Sequence, residues 1–405
     1  MTILAIETSC DESALALIET RTNNGNFECR VISSLIHSQA ELHSAYGGVF
    51  PSLAKREHGK NLPPLLDKLL TDSNLTSKTV SNEEQLNIRA IIENFKTELS
   101  GQNPDLLDSL EKAQFLNSIP LIDRIAVTEG PGLEPALWVG INFAGFLSKL
   151  WSIPIVPVNH MEGHIIGSLL ESDKPSDKWQ ALKKLQLPAV ALLISGGHTE
   201  LVKIGPKMAS GAFKYTIIGQ TKDDAVGEAF DKTARLLGLS YPGGPNISRL
   251  ANEARKMKIT PEVKLPRPMI SSGDLNFSFS GLKTAVLYAV RDYSKIHKDL
   301  DDNFKRGLAL EFEEAVTEVL DSKLRKAIDQ YGAKALIIGG GVSANERLRK
   351  QFEQTATEYG LDIFMPSRHV SGDNALMIAL AGALHLNEDV RDIKASGTMK
   401  LGTSS

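Results

Sequence analysis

The chain has 405 residues, 42% of them hydrophobic and 23% charged, with a formal net charge of −4. Such a composition is ordinarily globular, it excludes fibrous and low-complexity chains, and the length suggests two domains or one fold with two lobes. No apolar run approaches the roughly 18–20 residues of a membrane span; two cysteines, Cys10 and Cys29, are too few for a disulfide framework; and the slightly acidic balance means that a nucleic-acid partner would need a local basic patch.

Residues 2–19, "TILAIETSCDESALALIE", read as a strand, a tight polar turn and a second strand. The chain opens directly into this strand, so either no targeting sequence is present or a mature form begins here. A strand and a helical stretch, "PSLAKREHGKNLPPLLDKLL", follow in 30–70. Segment 71–118 is polar, with weak helical periodicity, and reads as a partly helical, exposed insertion. "DRIAVTEGPGLEPALWVGINFAGFLSKL" is a strand, a Gly-Pro-Gly turn and a long helix.

A second cycle begins with "PAVALLISGGHTELVKIG" (188–205), again strand, small polar turn, strand. A helical stretch at 225–238, glycine turns in "YPGGP", a helical pair over 280–330 and the strand–turn–helix "AKALIIGGGVSANERLRKQFEQ" complete it. The same order of elements thus occurs twice, offset by roughly 200 residues, which predicts two related α/β lobes. We expect an N-terminal lobe over 1–158, to which 380–405 returns, and a C-terminal lobe over 159–379. Hairpin turns facing each other across a cleft, with glycines exposing backbone N–H groups, suit phosphate binding. This architecture resembles the actin, Hsp70 and sugar-kinase superfamily, a duplicated ribonuclease H-like fold with a central nucleotide cleft.

The most specific local feature is "NHMEGH". His160 and His164 lie at i and i+4 on a predicted helix, so both rings can reach one cation. A zinc peptidase of the H-E-x-x-H type needs a glutamate directly after the first histidine. Here the order is H-x-E-x-H, and Glu162 falls ~200° round the helix from His160, away from any metal. Gly163 costs about 1 kcal/mol against alanine in a helix interior, which implies a packing or functional reason. A third ligand is offered by Asp373 in "SGDN", where a helix N-cap is the competing role. Ser195, Gly196 and Gly197 form the second hairpin turn, either a plain Gly-Gly turn or an anion cradle. Asp231 is a surface charge or a ribose ligand, Gly243 and Gly244 let a sugar or base approach the backbone, and Asn345 opens a helix after Gly339–Gly341. "AKREHGK" (54–60), with Lys55, Arg56 and Lys60, is the densest basic cluster before the insertion, and reads as a nucleic-acid-facing patch or a solvated helix face.

"ETSCDES", "TEGPGL", "NHMEGH", "SGGHTELV", "GEAFDKTARLLGL", "YPGGP", "NFSFSGLKTAV", "GGGVSAN" and "SGDNALMIA" together, in this order, resemble the TsaD family of tRNA threonylcarbamoyladenosine transferases. The resemblance spans nearly the whole chain outside 71–118. It implies transfer of threonylcarbamoyl from threonylcarbamoyl-AMP to adenosine 37 of tRNAs reading codons that begin with A. It places a divalent metal, zinc or iron, on His160, His164 and Asp373. It places the adenylate on Leu193, Ile194, Ser195, Gly196, Gly197, Asp231, Gly244, Ser248 and Asn345, and an acidic pair facing the cleft on Asp11 and Glu12. The donor would come from a separate synthase. Segment 71–118 resembles the insertion of the mitochondrial branch, which implies a mitochondrial homodimer; a bacterial cytoplasmic enzyme is the alternative. An ATPase or kinase of the same superfamily is the second functional reading, and a metallopeptidase or a non-catalytic subunit stand behind it. A kinase or ATPase has no use for the histidine pair, and the Glu162 geometry speaks against a peptidase.

Overall fold

The computed structural model describes residues 1–24, 26–99, 101–207, 213–367, 370–385 and 393–402. In the first half, β1 (Thr2–Glu7), β2 (Glu12–Asn23) and β3 (Asn26–Ser38) lead into α1 (Ala40–Ser44) and α2 (Pro51–Ser73). The small pair β4 (Thr76–Thr79) and β5 (Ser118–Pro120) brackets α3 (Asn82–Leu99) and α4 (Pro104–Leu110). Then come β6 (Arg124–Gly130), α5 (Glu134–Trp151), β7 (Ile155–Asn159) and α6 (His160–Gly167). The second half runs β8 (Gln180–Ala181), β9 (Ala189–Ile194), β10 (Thr199–Lys207), β11 (Phe213–Gln220), α7 (Val226–Leu236), α8 (Gly243–Met257), α9 (Ser280–Ser294), α10 (Asp302–Tyr331), β12 (Ala335–Gly339), α11 (Glu346–Tyr359), β13 (Asp362–Phe364) and α12 (Ala375–Gly382).

The duplication is explicit in the sheets. One has the order β7-β6-β1-β2-β3-β8 and the other β11-β10-β9-β12-β13. In each, three consecutive strands form an antiparallel meander, and two later strands add in parallel beside the first. The turn between the first two strands therefore lies at the same corner of both sheets.

Strand periodicity explains how the sheets stack. Successive side chains point to opposite faces. In β1 and β2, Leu4, Ile6, Leu15 and Leu17 face an outer core with α2 and α5, while Ile3, Ala5, Ala14, Ala16 and Ile18 face inward. In β9, Val190, Leu192 and Ile194 face α7 to α11, while Ala189, Ala191 and Leu193 face inward. The inward faces are rich in alanine, so α6 and α12 fit between the two sheets and one core runs through both. On α6, a Cβ at Gly163 would come within 3.2 Å of Met377 Cγ and one at Gly167 within 2.9 Å of Met377 Cβ. The helix cost of Gly163 thus has a packing cause: α6 must lie hard against α12.

The expected insertion is helical as predicted but not simply exposed. Phe95, Leu99, Leu106, Leu110 and Phe115 are buried against α2 and α5, with Phe95 and Phe146 ring centroids 5.1 Å apart. Its polar composition hid an apolar stripe that thickens the outer layer of the first lobe. Among the described residues, no helix is long and apolar enough to cross a membrane.

Candidate metal and nucleotide site

The site is built where β7 hands over to α6. The Asn159 side chain caps that helix, accepting from Met161 N at 2.9 Å and Glu162 N at 3.3 Å, so His160 and His164 occupy its first two turns. Asp373 Oδ1 lies 3.3 Å from Nε2 of both histidines, and the three candidate ligand atoms fall within 4.8 Å of one another. Asp373 is not a helix cap: Asn374 caps α12, accepting from Met377 N at 3.0 Å.

The cluster has the marks of a cation site. His164 Nε2 is buried and makes no hydrogen bond of good geometry, although Asp373 Oδ1 lies 3.3 Å from it. An orphaned buried ring nitrogen beside a carboxylate is costly unless something else coordinates it. Two imidazoles and a carboxylate are a donor set for zinc or iron(II). Behind His160, Nδ1 lies 3.0 Å from Glu7 Oε2 and 3.2 Å from Ser9 Oγ. Glu7 is itself pinned by Thr128 Oγ1 at 2.6 Å and Ser9 N at 2.5 Å. Burial opposes charge on His160, but Asp373 and Glu7 on either side raise its pKa well above the usual value. Burial lowers that of His164. Against its own desolvation, Asp373 is held far below the carboxylate range by His160 and His164. Glu7 escaped the sequence reading; the only signal was an acid closing an otherwise apolar strand.

Glu162 points away, as its helical phase predicted. Its Oε1 accepts from Tyr215 Oη at 2.9 Å and its Oε2 meets His385 Nε2 at 2.8 Å. It cannot serve as base for water on the histidine pair, which removes the geometric case for a peptidase.

Around this cluster the turns converge. Asp11 ends the β1–β2 turn and Glu12 opens β2, two and three residues beyond Ser9. Burial raises the pKa of both, Glu12 well above its usual range with the Asp11 and Asp373 charges adding to the effect. Opposite, the Ser195–Gly197 turn is closed by Ser195 N donating to His198 O at 2.9 Å. A Cβ at Gly196 or Gly197 would meet nothing within 4 Å, so the face of this turn is open. Its back is not: a Cβ at Gly227 would come 2.6 Å from Ser195 O. Leu193 and Ile194 are fully buried strand residues paired with Glu200 and Thr199; the open surface begins at Ser195.

Asp231 Oδ1 accepts from Gly243 N at 2.7 Å, which ties α7 to the start of α8. Gly244 faces open space. Burial raises the Asp231 pKa, and Tyr241, unnoticed in the sequence, is raised by burial and by the charges of Asp11 and Asp231. Asn345 and Ser248 come together at 2.8 Å, but Asn345 is largely spent on structure: its Oδ1 caps α11 through Leu348 N at 3.0 Å and its Nδ2 also donates to buried Glu313 at 2.8 Å. The expected basic patch is partly neutralised. Arg56 lies 3.7 Å from Asp105 of α4, and Lys60 pairs with Glu57 at 2.7 Å.

Fold and site together define a two-lobed α/β protein with a histidine–carboxylate cluster and an open glycine turn where the lobes meet. The family profile described as "TsaD: tRNA N6-adenosine threonylcarbamoyltransferase" matches residues 30–82 and 108–380, and the chain belongs to that family. The profile passes over 83–107, inside the predicted insertion. Three relatives carry the name tRNA N6-adenosine threonylcarbamoyltransferase. The one from Methylobacillus flagellatus is 41% identical over 95% of this chain and 93% of its own. Those from Chromobacterium violaceum and Aromatoleum aromaticum are 39% and 38% identical over 95% of this chain, and 93% and 91% of theirs. All three are bacterial, so the mitochondrial branch finds no support among them.

Proposed function

We propose that this chain transfers the threonylcarbamoyl group of threonylcarbamoyl-AMP to N6 of the adenosine just 3′ of the anticodon, in tRNAs reading codons that begin with A. The observation that carries this reading is the His160–His164–Asp373 cluster, joined through Ser9 to the turn that bears Asp11 and Glu12. In the reaction N6 attacks the carbamoyl carbon, a C–N bond forms, the C–O bond to phosphate breaks, AMP leaves and one proton is lost from nitrogen. The donor is already activated, so the protein must bind, orient and manage charge.

In the Ser195–Gly197 turn the open Gly196 and Gly197 amides hold the phosphate, and the Asp231–Gly243–Gly244 junction holds the ribose. Asn345 with Ser248 closes the far end as a scaffold more than as a direct contact. Burial raises the proton affinity of Asp11 and, more strongly, of Glu12, and the carboxylate of the pair that is ionised takes up the proton leaving N6. A divalent metal on His160, His164 and Asp373, when bound, orients the transferred group and polarises its carbonyl. Glu7 fixes which His160 nitrogen faces that metal.

The bacterial relatives favour the cytoplasmic alternative over the mitochondrial matrix, with the donor delivered by a separate synthase. The homodimer was read from the mitochondrial resemblance and loses that footing; light scattering on the purified chain tests it independently. The function itself is tested by incubating the protein with threonylcarbamoyl-AMP and tRNA and digesting the RNA to nucleosides. Threonylcarbamoyladenosine that depends on the protein is expected. ATP hydrolysis without modified nucleoside would move the assignment to an ATPase of the same fold.

A further inference from the structure

A run of buried polar side chains links the surface of the first lobe to the Asp11–Glu12 turn, and its hydrogen bonds point one way throughout. Phe50 N donates to His43 Nδ1 at 3.2 Å. His43 must then carry its proton on Nε2, which donates to Gln39 Oε1 at 3.2 Å. That fixes the Gln39 amide, whose Nε2 faces His58 Nδ1 at 3.2 Å and Ser13 Oγ at 3.4 Å. Ser13 Oγ donates to His58 Nδ1 at 2.7 Å. His58 Nε2 donates to the backbone carbonyl of Cys10 at 3.0 Å, and Gln39 N donates to Asp11 O at 2.9 Å. Gln39, His43, His58 and Ser13 are all fully buried. Both rings are neutral in this arrangement: burial lowers the His43 pKa and brings that of His58 down to about 4. The backbone groups at the two ends set every tautomer and the amide orientation in between, so the chain has one arrangement and no second one of equal quality.

The outer end of the chain is where the lobes touch. Between His43 and Phe50 lie Gly47 and Gly48 at φ +68° and +155°. Arg235 of α7, in the other lobe, reaches over them, and its guanidinium donates to Gly47 O. A Cβ at Gly47 would sit 3.2 Å from that guanidinium, so a side chain there would push the arginine off.

We propose that Gln39, His43 and His58 are positioning residues for the Asp11–Glu12 pair, and that the Arg235–Gly47 contact sets them, so that approach of the lobes is passed to the acidic turn. The proposal rests on the reading of Asp11 and Glu12 as the pair that takes the proton from N6. When the arginine holds Gly47, Phe50 N is presented to His43 and the chain holds the Cys10 and Asp11 carbonyls; when it lets go, the outermost donor is lost and the turn relaxes.

The test uses the full chain, threonylcarbamoyl-AMP and tRNA in single-turnover transfer, with Arg235→Gln, His43→Phe, the double variant and Asp11→Asn. Each of the first two is expected to slow transfer at least fivefold, with adenylate affinity and metal content unchanged, which a general loss of structure would not leave intact. The double variant is expected to be no slower than the slower single, because both cut one path. Parental rates in either single, or fold-changes that multiply, overturn the proposal. Asp11→Asn at the parental rate overturns the acidic-pair reading and the proposal with it; a slow Asp11→Asn beside a fast His43→Phe overturns the chain alone. Should His43→Phe not fold, amide exchange on Arg235→Gln decides: faster exchange is expected at Phe50 and at Gln39, and a change confined to 46–50 refutes the link.

Discussion

Glu7 and His160 meet at 3.0 Å on the ring nitrogen opposite the one that faces Asp373. A carboxylate in that place fixes the tautomer and turns the ring toward the metal position, and removing such a partner typically weakens metal binding about 10–100-fold. Glu7→Gln is expected to remain folded and to lose zinc affinity within that range, read by titration against a metal-competing dye. Parental affinity would show that Ser9 alone orients the ring.

His164→Ala removes the orphaned nitrogen together with the second ligand. It is expected to abolish stoichiometric metal while leaving the circular dichroism spectrum unchanged. Elemental analysis of the folded variant checks this, and one equivalent of tightly held cation in it would move the centre elsewhere.

Two glycines in contact through the same turn are expected to behave in opposite ways. At Gly196 a Cβ enters empty space, so Gly196→Val should fold normally and lose affinity for threonylcarbamoyl-AMP at least tenfold. At Gly227 a Cβ would press on Ser195 O at 2.6 Å, so Gly227→Ala should destabilise the protein, by about 1–3 kcal/mol as overpacking usually does. Calorimetric binding and denaturant midpoints separate the two effects.

Acid should weaken the fold through His58. Its folded pKa is about 4 against an ordinary 6.5, so as pH falls the unfolded chain takes up a proton before the folded one. The resulting loss of stability accrues between about pH 6.5 and 4 and is on the order of 3 kcal/mol when complete. Because Glu12 shifts in the opposite sense, the measurement is a difference. His58→Phe should show a shallower fall in unfolding free energy than the parent across that window, and equal slopes would contradict the neutral buried ring.

The stripe Phe95–Phe115 makes the inserted segment part of the first lobe. Phe95→Ala should cost about 3–5 kcal/mol by opening a cavity against Phe146, visible as a lower unfolding midpoint with metal content unchanged. A loss below 1 kcal/mol would mean the segment merely rests on the lobe.

The repeat, the hairpin turns and the histidine pair were legible in the sequence because each rests on local spacing: period two in β1 and β9, i, i+4 on α6, glycine at a turn. Glu162 was legible for the same reason, since helical phase alone sends it away from His160. What local spacing could not reveal is partnership across the chain. Glu7 and His160 are 153 residues apart. Asn345 looked available at a helix start, yet its side chain is taken up by Leu348 N, Ser248 and Glu313, two of them far away in sequence. Asp373 against Asn374 as helix cap was undecidable from composition, because both residue types cap well. Arg56 reads as part of a cationic patch until Asp105, far along the chain, is placed beside it, whereas the Lys60–Glu57 pair is local and visible in the sequence.

The third proposed ligand arrives late. His164 and Asp373 are separated by the whole of the second sheet, and α12, directly after Asp373, settles back between the two sheets against α6, β1 and β2. A chain emerging from the ribosome can complete its first meander, and even its second, with only a pair of histidines to offer a cation. The full proposed ligand set exists once α12 has been made and has threaded home, so the centre would double as a completion mark. A truncated product that ends before Asp373 would carry most of the protein's mass and still lack one of the three side chains proposed to hold the metal.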